Sequence, residues 1–320
     1  MSIRSRAKRL LIGHRQNARL AGVLVFALAL TGCARTPVLL DATEQTLPAR
    51  MELEAVPFVA QDDYQCGPAT LAMVLNYQGV EVSEEALIPQ VFLPGREGSV
   101  QPEMLATVRR QGQLAFPIRS TLDHLLGHVA DGYPVVVLQN LSLPLYPMWH
   151  YAVAIGYDLP ASTLVLRSGE IERHSLSFRR FDATWARSRR WGFIVAEPGV
   201  VPAGLSPRTA TEAISAFERQ HGASATLSSW EALTERFPND AVAHFALGNT
   251  LGSLGQTQRA REAFETATTL DPRLGAAWLN LGIVLIQLGE TEAAGEALAQ
   301  ARDLDGPWQE RAIELLDARQ

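Results

Sequence analysis

Hydrophobic and polar positions divide this chain into stretches of different texture. From Cys66 to Tyr77 the apolar residues Leu71, Met73, Val74 and Leu75 predict a buried helix, with Gly79 as its stop. Further helices are predicted over Glu84–Val91, Gln101–Val108 and Ser120–Val129, the last with Ser120 as its cap. The texture then changes. Tyr133–Gln139 is continuous and β-branched, as expected of a central strand, and His150–Tyr157 alternates as the next one. Thr163–Leu166 follows a turn at Asp158–Pro160, and Trp191–Ala196 closes the set. Val56–Val59 reads as a short strand or an extended lead-in. Helices first and an antiparallel sheet afterwards predict an α+β domain over 52–198.

A linker rich in Pro and Gly is expected over 199–208, and no strand signal appears after it. Instead Pro238, Gly248, Leu254, Gly255, Ala260, Ala263 and Asp271 each recur 34 positions later, as Pro272, Gly282, Leu288, Gly289, Ala294, Ala297 and Asp305. That is the period of the tetratricopeptide helix-turn-helix unit, with clear units at 238–271 and 272–305 in an all-α region over 209–320. Trp230 lies 34 before Phe264 and suggests a degenerate unit ahead of them, and Trp308–Leu316 suits a closing helix. Such repeats bind extended peptides or partner proteins.

The first 32 residues have a different character. A basic cluster (Arg4, Arg6, Lys8, Arg9, Arg15, Arg19) precedes the apolar run Ala21–Leu30, which is short for a permanent membrane span and has the pattern of a secretory signal. Its end, Leu30-Thr31-Gly32-Cys33, resembles a bacterial lipobox. The resemblance implies a lipid on Cys33, a polar tether over 33–51, and a place in the cell envelope at the periplasmic face of the outer membrane, since Ala34 and not Asp follows the cysteine. An ordinary signal anchor is the alternative. The formal net charge of -6 gives no reason to expect nucleic acid as a partner. The arginines at 179, 180, 187, 189 and 190 read as a solvated face, with an acidic partner as the alternative.

Only two cysteines are present, Cys33 and Cys66. With Cys33 committed to lipid, Cys66 is a lone thiol in an oxidising compartment, and it stands where a helix should begin. Unpaired N–H groups and the helix dipole there favour the thiolate, so its pKa is expected to fall. Pro68 suits the first turn. A thiolate nucleophile needs a base and an oxyanion site. Gln61, five positions upstream, could donate to an oxyanion, and His150 opens a later strand. Trp149 beside it reads as packing, and Asp62 and Asp63 as turn caps. His124 and His128 are spaced for one helix face, but without a nearby cysteine or a His-Glu-x-x-His frame no metal is expected, and no cofactor.

The string Gln61-Asp-Asp-Tyr-Gln-Cys-Gly-Pro-Ala69, together with His150-Tyr-Ala-Val-Ala-Ile-Gly-Tyr-Asp158, resembles the bacteriocin-processing peptidases, papain-like enzymes that cut after double-glycine leaders. The resemblance covers about Val56 to Pro198. It implies a papain-like fold, Cys66 as nucleophile, His150 as general base and Gln61 as the oxyanion residue. Members of that family carry Asp or Asn on the strand after the His strand. Here the equivalent stretch is Leu166-Arg167-Ser168-Gly169, which has no carboxylate; Ser168 could accept from the imidazole more weakly, and Asp158, which reads as a structural turn residue, is the alternative. The resemblance thus implies a cysteine peptidase acting on a peptide or protein, with an inert papain-like scaffold or a thioester-forming acyltransferase as alternatives. The double-glycine specificity is not carried over, because no transporter accompanies the domain.

Overall fold

The computed structural model describes residues 37, 39–60, 65–92 and 98–318. The apolar run at 21–30, Cys33, Gln61, Asp62 and Asp63 lie outside the described residues. Among the described residues no helix is long and apolar enough to cross a membrane. Leu39–Gln320 forms one compact unit.

Helices α1 (Asp41–Thr46), α2 (Cys66–Tyr77), α3 (Glu84–Val91), α4 (Gln101–Arg110) and α5 (Leu122–Ala130) come early, interleaved with two short strands, β1 (Arg50–Glu52) and β2 (Leu114–Pro117). The later strands are β3 (Val135–Asn140), β4 (Trp149–Asp158), β5 (Thr163–Ser168), β6 (Ile171–Ser177) and β7 (Gly192–Ala196). Helix α6 (Phe178–Trp185) and a 3-10 turn (Ala186–Ser188) lie between β6 and β7. All pairings are antiparallel, in the order β2-β7-β3-β4-β5-β6, with β1 on the far half of β4. This is the α+β arrangement that the pattern predicts.

The differences are local. The stretch expected to be a tether contains α1, and then β1, which enters the sheet at Glu52↔Gly156. A side chain at Gly156 would meet the Met51 carbonyl at 2.6 Å, so glycine is what lets β1 come this close. The cap of α5 is Thr121, whose hydroxyl accepts the His124 N–H, and not Ser120. Trp149 does not pack but is exposed.

The all-α region follows as α7 (Pro207–His221), α8 (Ala223–Arg236), α9 (Ala241–Ser253), α10 (Thr257–Leu270), α11 (Gly275–Leu288), α12 (Thr291–Asp303) and α13 (Gln309–Asp317). The repeat spacing has a steric cause. A Cβ at Gly248 would lie 2.6 Å from the Phe264 ring, and one at Gly282 would lie 2.6 Å from Leu298 Cγ, so each glycine admits a large side chain from the partner helix. Trp230 is buried, and its indole N–H donates to Glu218, whose other oxygen accepts from Thr250. The repeats are not hung on a loose strap. Ala210, Ile214, Phe217, Trp230 and Leu233 share one core cluster with the sheet, and the Gly199 N–H donates to Ser229 Oγ at 2.9 Å.

Candidate active site

Helix α2 is apolar along most of its length, and Gly67 to Leu75 are all buried. Burial therefore fixes where its head must sit. The first intrahelical bond runs from the Ala69 N–H to the Gln65 carbonyl. Pro68 has no N–H to offer, so the unclaimed donors of the first turn are those of Cys66 and Gly67. Both turn toward the Cys66 sulfur, together with the backbone N–H of Tyr151 in β4. The thiol thus lies against the residue that follows His150.

Those three donors favour the thiolate, yet burial outweighs them and pushes the Cys66 thiol up from its ordinary value. This corrects the expectation of a lowered pKa. The helix terminus acts as the sequence suggests, but removal of water from around the sulfur is the larger effect.

His150 pairs with Gln139 across β3 and β4. Its Nε2 lies 2.8 Å from Ser168 Oγ, at the end of β5, where the chain turns through Gly169 at φ +60°. Val153 pairs with Arg167, which sets Ser168 opposite Ala152 and on the same sheet face as His150. Burial, and then the charge of His174, push the imidazole down to about 4, so it is neutral near pH 7. With Nε2 facing Ser168, Nδ1 is the ring nitrogen left to take a proton. Among the described residues no hydrogen bond joins the sulfur directly to the imidazole. The resting pair is thus a neutral thiol and a neutral imidazole on adjoining backbone, not a thiolate–imidazolium ion pair.

Three neighbours carry no signal in the sequence. Arg167, also buried, donates to the carbonyl oxygens of Val56 and Glu54 and ties β5 to the segment leading toward the nucleophile. Tyr151 stacks edge-on against Trp191 and donates to the Ser99 carbonyl. Ser99 Oγ is buried, has no hydrogen-bond partner among the described residues, and lies against Gly67. Only the register of β4 and the crossing of α2 reveal these contacts.

Two substitutions test this layout. A Cβ at Gly67 would meet Ser99 Oγ at 2.0 Å and Met104 Sδ at 3.2 Å. Gly67→Ala is therefore expected to cost about 1–3 kcal/mol by overpacking and to displace the neighbouring sulfur. Urea unfolding and the rate of Cys66 alkylation measure the two effects. Ser168→Asp is expected to raise the pKa of His150 well above its present value, because a carboxylate at Nε2 stabilises the imidazolium. NMR titration of the His150 ring gives the shift, and Ser168→Ala should leave the pKa low.

Residues 53–190 match the family described as Peptidase_C39 like family, and residues 245–307 match the tetratricopeptide repeat. Among solved structures the chain is similar to a C39-like peptidase from Bacillus anthracis at 18% identity, covering 46% of this chain and 98% of that one, with a TM-score of 0.39. It is also similar to a double glycine motif protease from an AMS/PCAT transporter in complex with the leader peptide, at 20% identity, 44% and 91% coverage and a TM-score of 0.34. For the repeats, the type III secretion chaperone SycD of Yersinia enterocolitica, in complex with a peptide of the translocator YopD, is similar at 17% identity, 35% and 90% coverage and a TM-score of 0.33. No curated protein matches the chain.

Proposed function

We propose that this chain, which joins a Peptidase_C39-like domain to tetratricopeptide repeats, is a thiol hydrolase of peptide bonds that works through a Cys66 thioester. The observation that carries the reading is the sulfur at the head of α2 against the Tyr151 N–H, one residue from an imidazole held by Ser168.

The chemistry follows from the resting state. His150 Nδ1 takes the thiol proton as sulfur attacks the carbonyl carbon. The oxyanion forms beside the Cys66 N–H, and Gln61 is the proposed second donor. The tetrahedral adduct collapses by breaking the C–N bond, and the imidazolium protonates the departing amine. A water, deprotonated by the same imidazole, then attacks the thioester. The carboxylic acid leaves and the thiol regains its proton. No cofactor is required. In this reading the repeats hold the protein substrate or its partner, and a lipid on Cys33 tethers the protein to the periplasmic face of the outer membrane.

Ser168, standing where a carboxylate is expected, favours a second reading in which the domain is an inert scaffold. Incubating the full chain with a peptide library and sequencing new termini by mass spectrometry separates the two. Cleavage by the wild type and not by Cys66→Ala supports the hydrolase. No cleavage and no acyl adduct on Cys66 would leave the scaffold.

A further inference from the structure

We propose that the tip of the β3–β4 hairpin is a membrane-docking wedge, which inserts into the boundary between headgroups and acyl chains of an anionic lipid surface and seats the neighbouring cleft on it. The inference goes beyond the hydrolase reading and stands whether or not Cys66 turns over.

The tip, residues 141–149, contains no charged residue. Its apolar side chains point into solvent: Leu143 is 64% exposed, Leu145 87%, Tyr146 78%, Met148 61% and Trp149 51%. Scattered apolar residues on a surface mean little, but a run of this kind in a single segment marks an interaction site. The segment immediately precedes His150.

The exposure is built in and not a result of slack chain. The buried side chain of Asn140 accepts the N–H groups of Ser142 and Met148, both at 3.0 Å. The Leu141 N–H donates to the Met148 carbonyl, and the Tyr146 N–H to that of Leu143. From outside, Arg187 donates to the carbonyl oxygens of Asn140 and Ser142 at 2.9 and 2.7 Å. Pro144 and Pro147 stiffen what remains. The N–H groups of Leu141, Ser142, Tyr146 and Met148 are thus bonded within the tip or at its base, so part of the cost of ordering the apolar groups is already met.

Charge selects the occupant. α6 and the 3-10 turn pack against β3, where the Gln139 side chain donates to Thr184. They bring Arg187 and Arg189 to the base of the hairpin, both exposed and neither in an ion pair among the described residues, whereas Arg179 and Arg180 begin the helix beside Phe178, whose N–H donates to Ser162 in the β4–β5 turn at the other end of β4. The one acidic residue there, Asp182, is taken by Arg190. This basic pair lies on a chain whose net charge is -6, so it is a local feature. A projecting apolar tip bearing Trp, Tyr and Leu, backed by arginines, matches the interfacial zone of a bilayer. Each arginine near an anionic surface strengthens binding by about fivefold. An apolar peptide would instead need a recess to enter, and a side chain 87% exposed is a projection.

The test uses the full chain with Cys33→Ser and Cys66→Ala, labelled with an environment-sensitive fluorophore at Leu145→Cys. A matched protein labelled at the exposed repeat position Gln258→Cys is the control. With vesicles of equal parts phosphatidylglycerol and phosphatidylcholine, the label at 145 should shift to the blue and be quenched by acyl-chain bromines, while the label at 258 stays in water. Arg189→Glu should reduce quenching at limiting lipid by tenfold or more. A label at 145 that stays in water on vesicle-bound protein overturns the proposal. So does a shift produced by an apolar peptide alone and not by vesicles, which would make the tip a peptide site.

Discussion

Cys66→Ala is expected to reduce peptide-bond cleavage by this chain to the uncatalysed background, and His150→Ala to slow acylation by roughly 10²–10⁴-fold. The asymmetry comes from the resting state. Because burial raises the thiol and lowers the imidazole, almost no thiolate exists near pH 7 without a base to take its proton. An enzyme with a preformed ion pair would already hold its nucleophile charged. Here His150 has to remove the proton during attack, so its loss should appear in the acylation rate and far less in KM. Single-turnover kinetics with a cleavable peptide, read as acyl-enzyme formation, measure both variants. Equal acylation rates in wild type and His150→Ala would show that the imidazole takes no part.

The second large effect is on stability. His150 and His128 are both pushed down to about 4, His150 by burial and then the charge of His174, and His128 by burial and then that of His124. His128 is buried with neither ring nitrogen paired among the described residues, and Gly204 lies against its ring. Each folded pKa lies below the ordinary histidine value, so between the two the unfolded chain binds more protons than the folded one. The contribution of these groups is fully present above about pH 6.5 and is lost as pH falls toward 4. At pH 5 the loss amounts to roughly 2 kcal/mol for each group. Urea unfolding at pH 7 and pH 5 should show the drop. His128→Leu should remove about half of it, because an apolar side chain of similar size has no proton to gain. An unchanged pH dependence in His128→Leu would mean that this ring is solvated in the native state.

What could be read from the sequence divides along physical lines. Helices α2 and α3 and strands β3, β4 and β5 were legible because each buries a continuous or periodic apolar face. The repeats were legible because Gly248 and Gly282 must admit Phe264 and Leu298 at the same spacing. Strand β2 escaped notice because Leu114–Pro117 is four residues long and ends in proline at a sheet edge, and β6 because its Ile-Glu-Arg-His-Ser-Leu-Ser pattern is mostly exposed. Helix α6 hid among the arginines, although Phe178, Phe181 and Trp185 lie on one buried stripe. In the candidate site, the placing of Cys66 at a helix head and of His150 and Ser168 on successive strands was legible from position along the chain. The N–H of Tyr151 and the ties of Arg167 depend on which backbone crosses which, and no local pattern encodes that. The raised thiol pKa has the same origin. Donors at a helix head can be counted from sequence, whereas the water excluded from around the sulfur depends on strand β4 and the segment at Ser99, far away in the chain.

The pH dependence of Cys66 alkylation by a peptidyl acyloxymethyl ketone, in which the sulfur displaces the carboxylate and forms a thioether, followed by intact mass, addresses most directly whether thiol and imidazole act as a pair. The wild type should lose its rate as pH falls through about 4, where His150 gains its proton, and His150→Ala should be slow throughout, with that limb missing. Superimposable profiles for the two proteins would contradict the account.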